Sequence, residues 1–305
     1  MKKLLLFSFL IVFIPFFIVE LFIRNDEITF NFTSNSLVRV KNESTGKISK
    51  VPLEEYIIGV VSGEMPVSFE IEALKAQAVA ARSYVMVEIE NSVNREYDVV
   101  DTVTNQVYLS NDYLKSVWKE SYTQNINKIK EAVLSTKGEY VSYDGKVAHT
   151  FFFSTSPGVT ENVEEVFSTK LDYLRSTDSS WDKDSPVYET VKKFTLSDFY
   201  KKLGLSYSDN LIIKIEKTTS TGRVKELKIN NKIISANEVC SKLALRSTYF
   251  SIEQKGKEVI IKNKGYGHGV GMSQYGAQGM AKAGYKYDEI LKHYYKNTEI
   301  KKIDA

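Results

Sequence analysis

The chain has 305 residues, 43% apolar and 26% charged; it can bury a sizeable core, which excludes a disordered tail and a disulfide-stapled miniprotein. Its 41 basic and 38 acidic residues leave a net charge of +3, spread without a dense Lys/Arg block, so nucleic acid is excluded as the main partner and neutral or mixed-charge substrates fit better. A single cysteine, Cys240, rules out an intramolecular disulfide.

Residues 1–24 decide topology. Lys2 and Lys3 precede an almost wholly apolar run from Leu4 to Ile23 that Glu20 interrupts. Twenty helical residues at about 1.5 Å each cross a hydrocarbon core of about 30 Å. The positive pair favours a cytoplasmic N-terminus, with the rest of the chain outside. No Ala-x-Ala-like site follows, which favours an uncleaved anchor over a cleaved signal peptide. Residues 25–50, polar with short alternating stretches, read as a linker followed by a strand or two.

From residue 51 the pattern becomes helical. Pro52 suits a helix start, Pro66 closes the pattern, and Leu53, Tyr56, Ile57, Val60 and Val61 form an apolar stripe. Glu64, at i+7 from Ile57 and i+4 from Val60, extends that stripe, whereas Glu54 and Glu55 sit in the first turn, where the helix dipole favours acids. A carboxylate on an apolar face is costly unless it is paired or protonated. Desolvation raises its pKa, which is how a glutamic acid stays protonated near neutral pH to act as a general acid. Glu64 is therefore a catalytic-acid candidate; the competing reading is a carboxylate that caps something or reaches solvent at the helix end.

In the next helix Ser68 is the expected N-cap, and Leu74, Ala78, Ala81 and Val85 are the apolar face. Lys75 and Arg82 share an adjacent strip and are expected to point together toward the Glu64 turn, unless the strip is simply solvated. Strand alternation returns at residues 140–155, residues 177–186 are a polar loop with one Trp, and residues 211–234 carry hairpin signals. Ser235 and Glu238 have capping-box spacing, and Ala236, Val239, Cys240 and Leu243 follow at helical intervals, which makes Cys240 a core residue.

Gly265, Gly267, Gly269 and Gly271 occupy every second position. In an extended segment all four face one way, with Tyr266, His268, Val270 and Met272 opposite, leaving a surface that a ligand or another backbone can approach closely. The spacing does not match a dinucleotide loop. Ser273 can cap the helix that follows, with Gly284 as its stop. The mixture of helices and strands predicts an α+β fold. The three histidines, His149, His268 and His293, share no ligand spacing with one another or with Cys240, so no metal and no cofactor are expected.

Residues 63–84 (Gly-Glu-Met-Pro onward), 153–161 (Phe-Ser-Thr-Ser-Pro-Gly-Val-Thr-Glu) and 265–277, together with 52–56 and 290–295, resemble the stage II sporulation protein D family, in order along nearly the whole chain after residue 51. Pro157 departs from the Gly or Ser expected at its position. The resemblance implies a two-lobed ectodomain with a catalytic cleft over residues 51–300, preceded by one N-terminal transmembrane helix. It implies a lytic transglycosylase that cleaves the MurNAc–GlcNAc bond of peptidoglycan and leaves 1,6-anhydroMurNAc ends, with Glu64 as the single acid and base. Lys75, Arg82, Tyr84, Ser154, Thr155, Glu161, His268, Ser273, Gln274 and Tyr275 would bind substrate. The implied setting is engulfment during endospore formation, in the space between mother cell and forespore. The expected partners are glycan strands stripped of stem peptides, a sporulation amidase and a second membrane protein of the engulfment complex. The alternatives are a non-catalytic glycan-binding or amidase-enhancing module, a muramidase with Glu161 or Glu165 as second carboxylate, and a purely structural septal protein.

Overall fold

A computed structural model describes residues 27–28 and 36–303. The expected anchor at residues 1–24 lies outside the described residues, among which no helix is long and apolar enough to cross a membrane. The chain forms a mixed α/β structure with two hydrophobic cores.

The first core begins with β1 (Leu37–Lys41) and β2 (Ile48–Pro52), an antiparallel pair in which Leu37 faces Pro52. Val38, Val40 and Val51 are buried in the same core as the helices that follow, so β2 carries the chain across residue 50 without a break. Pro52, with φ −54°, leads directly into α1 (Leu53–Glu64), as a residue whose ring presets a helical φ should. Extended backbone at Met65 and then Pro66 end it. α2 (Ile71–Asn91) follows a turn; Glu70, not Ser68, is its N-cap residue. It is the central helix of this core, buried on every side from Ala76 to Val85, where a run of small alanines lets neighbouring elements close in around it.

β3 (Val99–Val100) runs parallel to β1. The segment after it lies flat on α1, and two glycines explain how. A Cβ at Gly59 would stand 2.5 Å from the Tyr108 ring, and one at Gly63 would stand 2.7 Å from the Val107 carbonyl. Side chains there would push the segment away. α3 (Asn111–Trp118), α4 (Tyr122–Ser135), β4 (Glu139–Tyr143), β5 (Lys146–Val147) and β6 (Phe152–Phe153) complete the first half of this core.

The second core is an insertion between residues 188 and 265. It comprises β7 (Glu189–Thr195), α5 (Leu196–Leu203), β8 (Ile213–Thr218), β9 (Val224–Ile229), β10 (Lys232–Ser235), α6 (Ala236–Leu243), β11 (Phe250–Lys255) and β12 (Glu258–Lys264). Two antiparallel three-stranded sheets, in the orders β10-β9-β8 and β11-β12-β7, bury Leu227, Ile229, Val259 and Ile261 with Phe199 and Val239 of the two helices. The Ser235 hydroxyl caps α6 by accepting from the Glu238 amide at 3.2 Å. Cys240 is half-buried against this core and donates to the Ser247 carbonyl. Burial pushes its thiol up to about 12.

The chain then returns to the first core through the glycine-rich segment, β13 (Met272–Ser273), α7 (Gln274–Lys282), α8 (Tyr287–Tyr294) and β14 (Glu299–Lys302), which pairs with β4. β13 lies parallel to β6, with Met272 opposite Phe152 and Ser273 opposite Phe153. The four alternating glycines are not an extended strand: all have positive φ, from 75° to 104°, where only glycine sits without strain. Cβ atoms at Gly265, Gly267 and Gly271 would strike Thr155 O, Phe153 Cβ and Phe151 O respectively. These three are what let residues 151–157 pass close by. Gly269 faces Arg223 instead.

Candidate active site

Three pieces of chain distant in sequence meet at Glu64. The C-terminal end of α1 presents the carboxyl, and its Oε1 accepts the Val107 amide at 2.8 Å from the segment that Gly63 admits. Its Oε2 accepts from Nε2 of Gln274, the first residue of α7, at 3.0 Å. Glu64 is half-buried, and burial raises its pKa above the usual carboxyl value, opposed by the two hydrogen bonds that favour the charged form. An acid with an elevated pKa that is still reachable from solvent can donate a proton and take one back.

Around it lie buried tyrosines. The Tyr56 hydroxyl donates to Gln106 at 3.1 Å, and that of Tyr84 accepts from Asn105 at 3.2 Å. Burial pushes Tyr84 up to about 12, with the Glu88 and Glu64 charges adding to the rise. Glu88 belongs to this neighbourhood: burial raises it as well, and His149 Nε2 stands 3.4 Å from its carboxylate. Burial holds His149 down at about 4, so that contact is not an ion pair near neutral pH.

The parallel pairing of β6 with β13 brings Ser154 and Tyr275 to the same place. The Tyr275 amide donates to the Ser154 carbonyl at 3.0 Å, and the Tyr275 ring meets Phe69 edge-on at 5.1 Å. A cavity of about 310 Å³ opens there between the turn after α1 and α7, lined by Phe69, Trp181, Tyr275, Gln278 and their neighbours.

Other expected substrate contacts are used differently. Arg82 is fully buried and grips Glu54 with Nε and Nη2 at 3.0 and 2.7 Å. Arg82 is closed in on every side, so it does not share an open face with Lys75, which is partly exposed. Lys75 pairs with Glu72 at 2.9 Å and lies over the Tyr287 ring. Tyr84 is buried to 7% exposure, and Thr155, Glu161 and Ser273 are fully buried. None of these four offers an open surface to a sugar. Thr155 shares a hydroxyl hydrogen bond with Ser185, and Glu161 faces Arg223 and Thr219. His268 is neutral, held down at about 4 by burial. Its Nδ1 accepts from the Val270 amide, so its Nε2 carries the proton and donates to the Phe152 carbonyl.

Ser273 caps α7, accepting from the Gly276 amide at 3.3 Å, and its hydroxyl donates to Asp182. Asp182 is a residue that periodicity passed over in the polar loop. Fully buried, it also accepts from the Ser156 amide at 2.8 Å and the Ser179 hydroxyl at 2.5 Å. Burial nevertheless pushes it up to about 6. The Ser-x-x-Asp spacing of Ser179 and Asp182 was the available signal. Because Asp182 fixes the start of α7, and α7 places Gln274 on Glu64, Asp182→Ala should destabilise the fold by about 1–3 kcal/mol, since buried donors lose their acceptor while a buried charge is relieved. Chemical denaturation would measure this; an unchanged midpoint would show that the loop holds itself. Among the described residues, no three His, Cys, Asp or Glu side chains gather as a metal site.

Fold and site thus define a two-core α/β protein with the half-buried, hydrogen-bonded acid Glu64 at the meeting point of α1 and α7. Residues 41–143 match the family described as Stage II sporulation protein. The chain is 41% identical over 273 residues to Stage II sporulation protein D of Bacillus amyloliquefaciens, covering 88% of this chain and 79% of that one. It is 42% identical to the Bacillus subtilis (strain 168) protein of the same name, covering 88% and 78%. The amidase enhancer of Bacillus subtilis (strain 168) is 32% identical over 79% of this chain and 40% of its own length. The chain belongs to the stage II sporulation protein D family.

Proposed function

We propose that this protein is a peptidoglycan lytic transglycosylase in which Glu64 is both acid and base, acting in septal wall remodelling during engulfment. The observation that carries this reading is the hydrogen-bonded, half-buried Glu64, whose pKa burial raises and whose partners include no second carboxylate. Protonated Glu64 gives its proton to the glycosidic oxygen as the bond from C1 breaks. As a carboxylate it then removes the proton from the C6 hydroxyl of the same sugar while O6 closes on C1. Hydrolysis with inversion or through a glycosyl-enzyme would call for a second acid facing the first. Glu161 and Glu165, the candidates for that role, are paired with Arg223 and Lys225. Tyr275, Phe69 and Trp181 at the neighbouring cavity offer faces on which sugar rings can stack.

On this reading the N-terminal segment anchors the protein in the cell membrane with its folded part outside, in the space between mother cell and forespore. A sporulation amidase that strips stem peptides, and a second membrane protein of the engulfment complex, are its partners. Mass spectrometry of purified glycan, with and without stem peptides, after incubation with the full-length chain in detergent is the test. Anhydromuramic ends are expected. Reducing ends would replace the reading with a muramidase, and intact glycan that co-sediments with the protein would replace it with a binding module.

The pH profile follows from the site. Glu64 must be protonated to act first, so kcat/KM falls as pH rises through its elevated pKa. Gln274→Leu removes a hydrogen bond that stabilises the carboxylate, so that falling limb should move to higher pH. A limb that stays in place, or moves down, would take Gln274 out of this role.

A further inference from the structure

The first described residues are tied to α4 by a small clasp. Lys130 is buried, and its Nζ donates to Glu27 Oε1 at 2.8 Å and to the Ile28 carbonyl at 2.6 Å. The Ile28 amide donates to Asn127 Oδ1 at 2.8 Å, so one face of α4 holds both backbone groups of that residue. The Tyr122 hydroxyl stands 3.2 Å from Glu27 Oε1 and also bonds Asn111, the first residue of α3. The Lys130 hydrogen bond holds Glu27 below the usual carboxyl range, and the Lys115 charge on α3 adds to the lowering. A charge-assisted clasp of this kind fixes the point at which the preceding chain leaves the fold.

Beside the clasp, α3 carries an apolar flank that no other described element covers. Leu114 is buried and Trp118 is half-buried against the core and the Tyr122 ring, whereas Tyr113 and Val117, one turn apart, are 53% and 54% exposed. Lys115 lies over the Tyr122 ring at 5.5 Å, and Lys115 and Lys119 balance Asp112 and Glu120, so the face carries no net charge to repel a lipid surface. A tyrosine, an aliphatic side chain and long-stemmed lysines around a tryptophan suit the headgroup level of a bilayer. Chain length brings them there. The apolar run ends at Ile23, and the four residues from it to Glu27 reach at most about 14 Å, against a headgroup region about 5–8 Å deep.

Resting on the anchor part of the reading above, and on none of its glycan chemistry, we infer that the Tyr113–Val117 flank of α3 lies against phospholipid headgroups, held there by the Glu27–Lys130 clasp. The contact sets how the folded part stands on the membrane. Glu27 lines a cavity of about 240 Å³ that Gly59, Tyr108 and Leu109 also line. Glu64 is five residues beyond Gly59 on α1, about 7.5 Å of helix. With α3 on the headgroups, the acid is held close above the bilayer, so that whatever it acts on lies next to the membrane.

The test is electron paramagnetic resonance of the full-length chain in vesicles of phosphatidylcholine and phosphatidylglycerol. In a Cys240→Ser background, one nitroxide is placed at Val117→Cys or, for reference on the second core, at Ile233→Cys. Both sites are exposed, Ile233 to 57%, so neither label disturbs a core. The ratio of collisions with oxygen, which concentrates in lipid, to collisions with a water-soluble nickel chelate should be higher at 117 than at 233 by about threefold or more. A Lys130→Ala copy, which opens the clasp, should bring the ratio at 117 down toward that at 233. Equal ratios at the two positions, in protein that floats with the vesicles, would overturn the membrane face and keep the anchor. Protein that stays behind when the vesicles float would overturn both. A high ratio at 117 that survives Lys130→Ala would overturn the clasp as what holds α3 there. None of these outcomes bears on glycan cleavage, which anhydromuramic ends report separately.

Discussion

Glu64→Gln is expected to lower the rate of glycan cleavage by about 10³–10⁴-fold, the size of a lost general acid and base, with substrate affinity nearly unchanged. The variant keeps the shape of the site. The new amide oxygen can still accept from the Val107 amide, which stands 2.8 Å from Oε1 in the parent. The new NH₂ group would face Gln274 Nε2, and Gln274 can turn its own amide end for end to accept from it. Stability should therefore move by less than about 0.5 kcal/mol, so lost activity could not be blamed on unfolding. Cleavage at a parental rate by this variant would remove Glu64 from the chemistry altogether.

Glu64 is legible in the local sequence pattern. The periodicity of α1 fixes which side is buried, and Glu64 continues that side, so the conflict between its charge and its position is visible in twelve residues. The prolines at 52 and 66 mark both ends of the helix for reasons of backbone geometry alone. The partners of Glu64 are not visible in the same way. Gln274 lies 210 residues away, and Val107 reaches the carboxylate only because Gly63 leaves room for it. Those contacts are products of tertiary packing, for which no local pattern stands. The glycine repeat is an intermediate case. Its spacing announces close approach, but alternate positive φ angles divide the four glycines between residues 151–157 and Arg223, which a simple strand would not do.

Arg82 differs from its expected place for another reason, the packing of α2 against α1 and β4. Helical spacing puts it on a strip with Lys75, and a strip with two cations suggests an open, ligand-facing side. In the fold the strip is closed at Arg82, while Lys75 stays partly exposed. Arg82 holds Glu54 in a two-point pair at 0% and 5% side-chain exposure, and its Nη1 donates to the Glu139 carbonyl at 2.8 Å. One side chain thus ties α2 to the first turn of α1 and to β4. Glu54, read as an acid suited to a helix N-terminus, is the other half of that joint, and it also accepts from the Gly138 amide at 3.1 Å.

Removing one member of such a pair leaves the other charge buried and uncompensated, so Arg82→Met should cost about 3–5 kcal/mol of folding stability. Arg82→Lys keeps the charge but loses the fork and should fall between the parent and Arg82→Met. Adding Glu54→Gln to Arg82→Met removes the stranded charge and should recover part of the loss, giving a coupling energy above about 1 kcal/mol in a double-mutant cycle. A glycan-holding arginine would behave otherwise: its loss would weaken substrate binding while leaving the denaturation midpoint where it was. Equilibrium denaturation of the parent, Glu54→Gln, Arg82→Met, Arg82→Lys and the double variant, set beside glycan affinity, separates the two roles, and an Arg82→Met protein of parental stability would return Arg82 to the substrate.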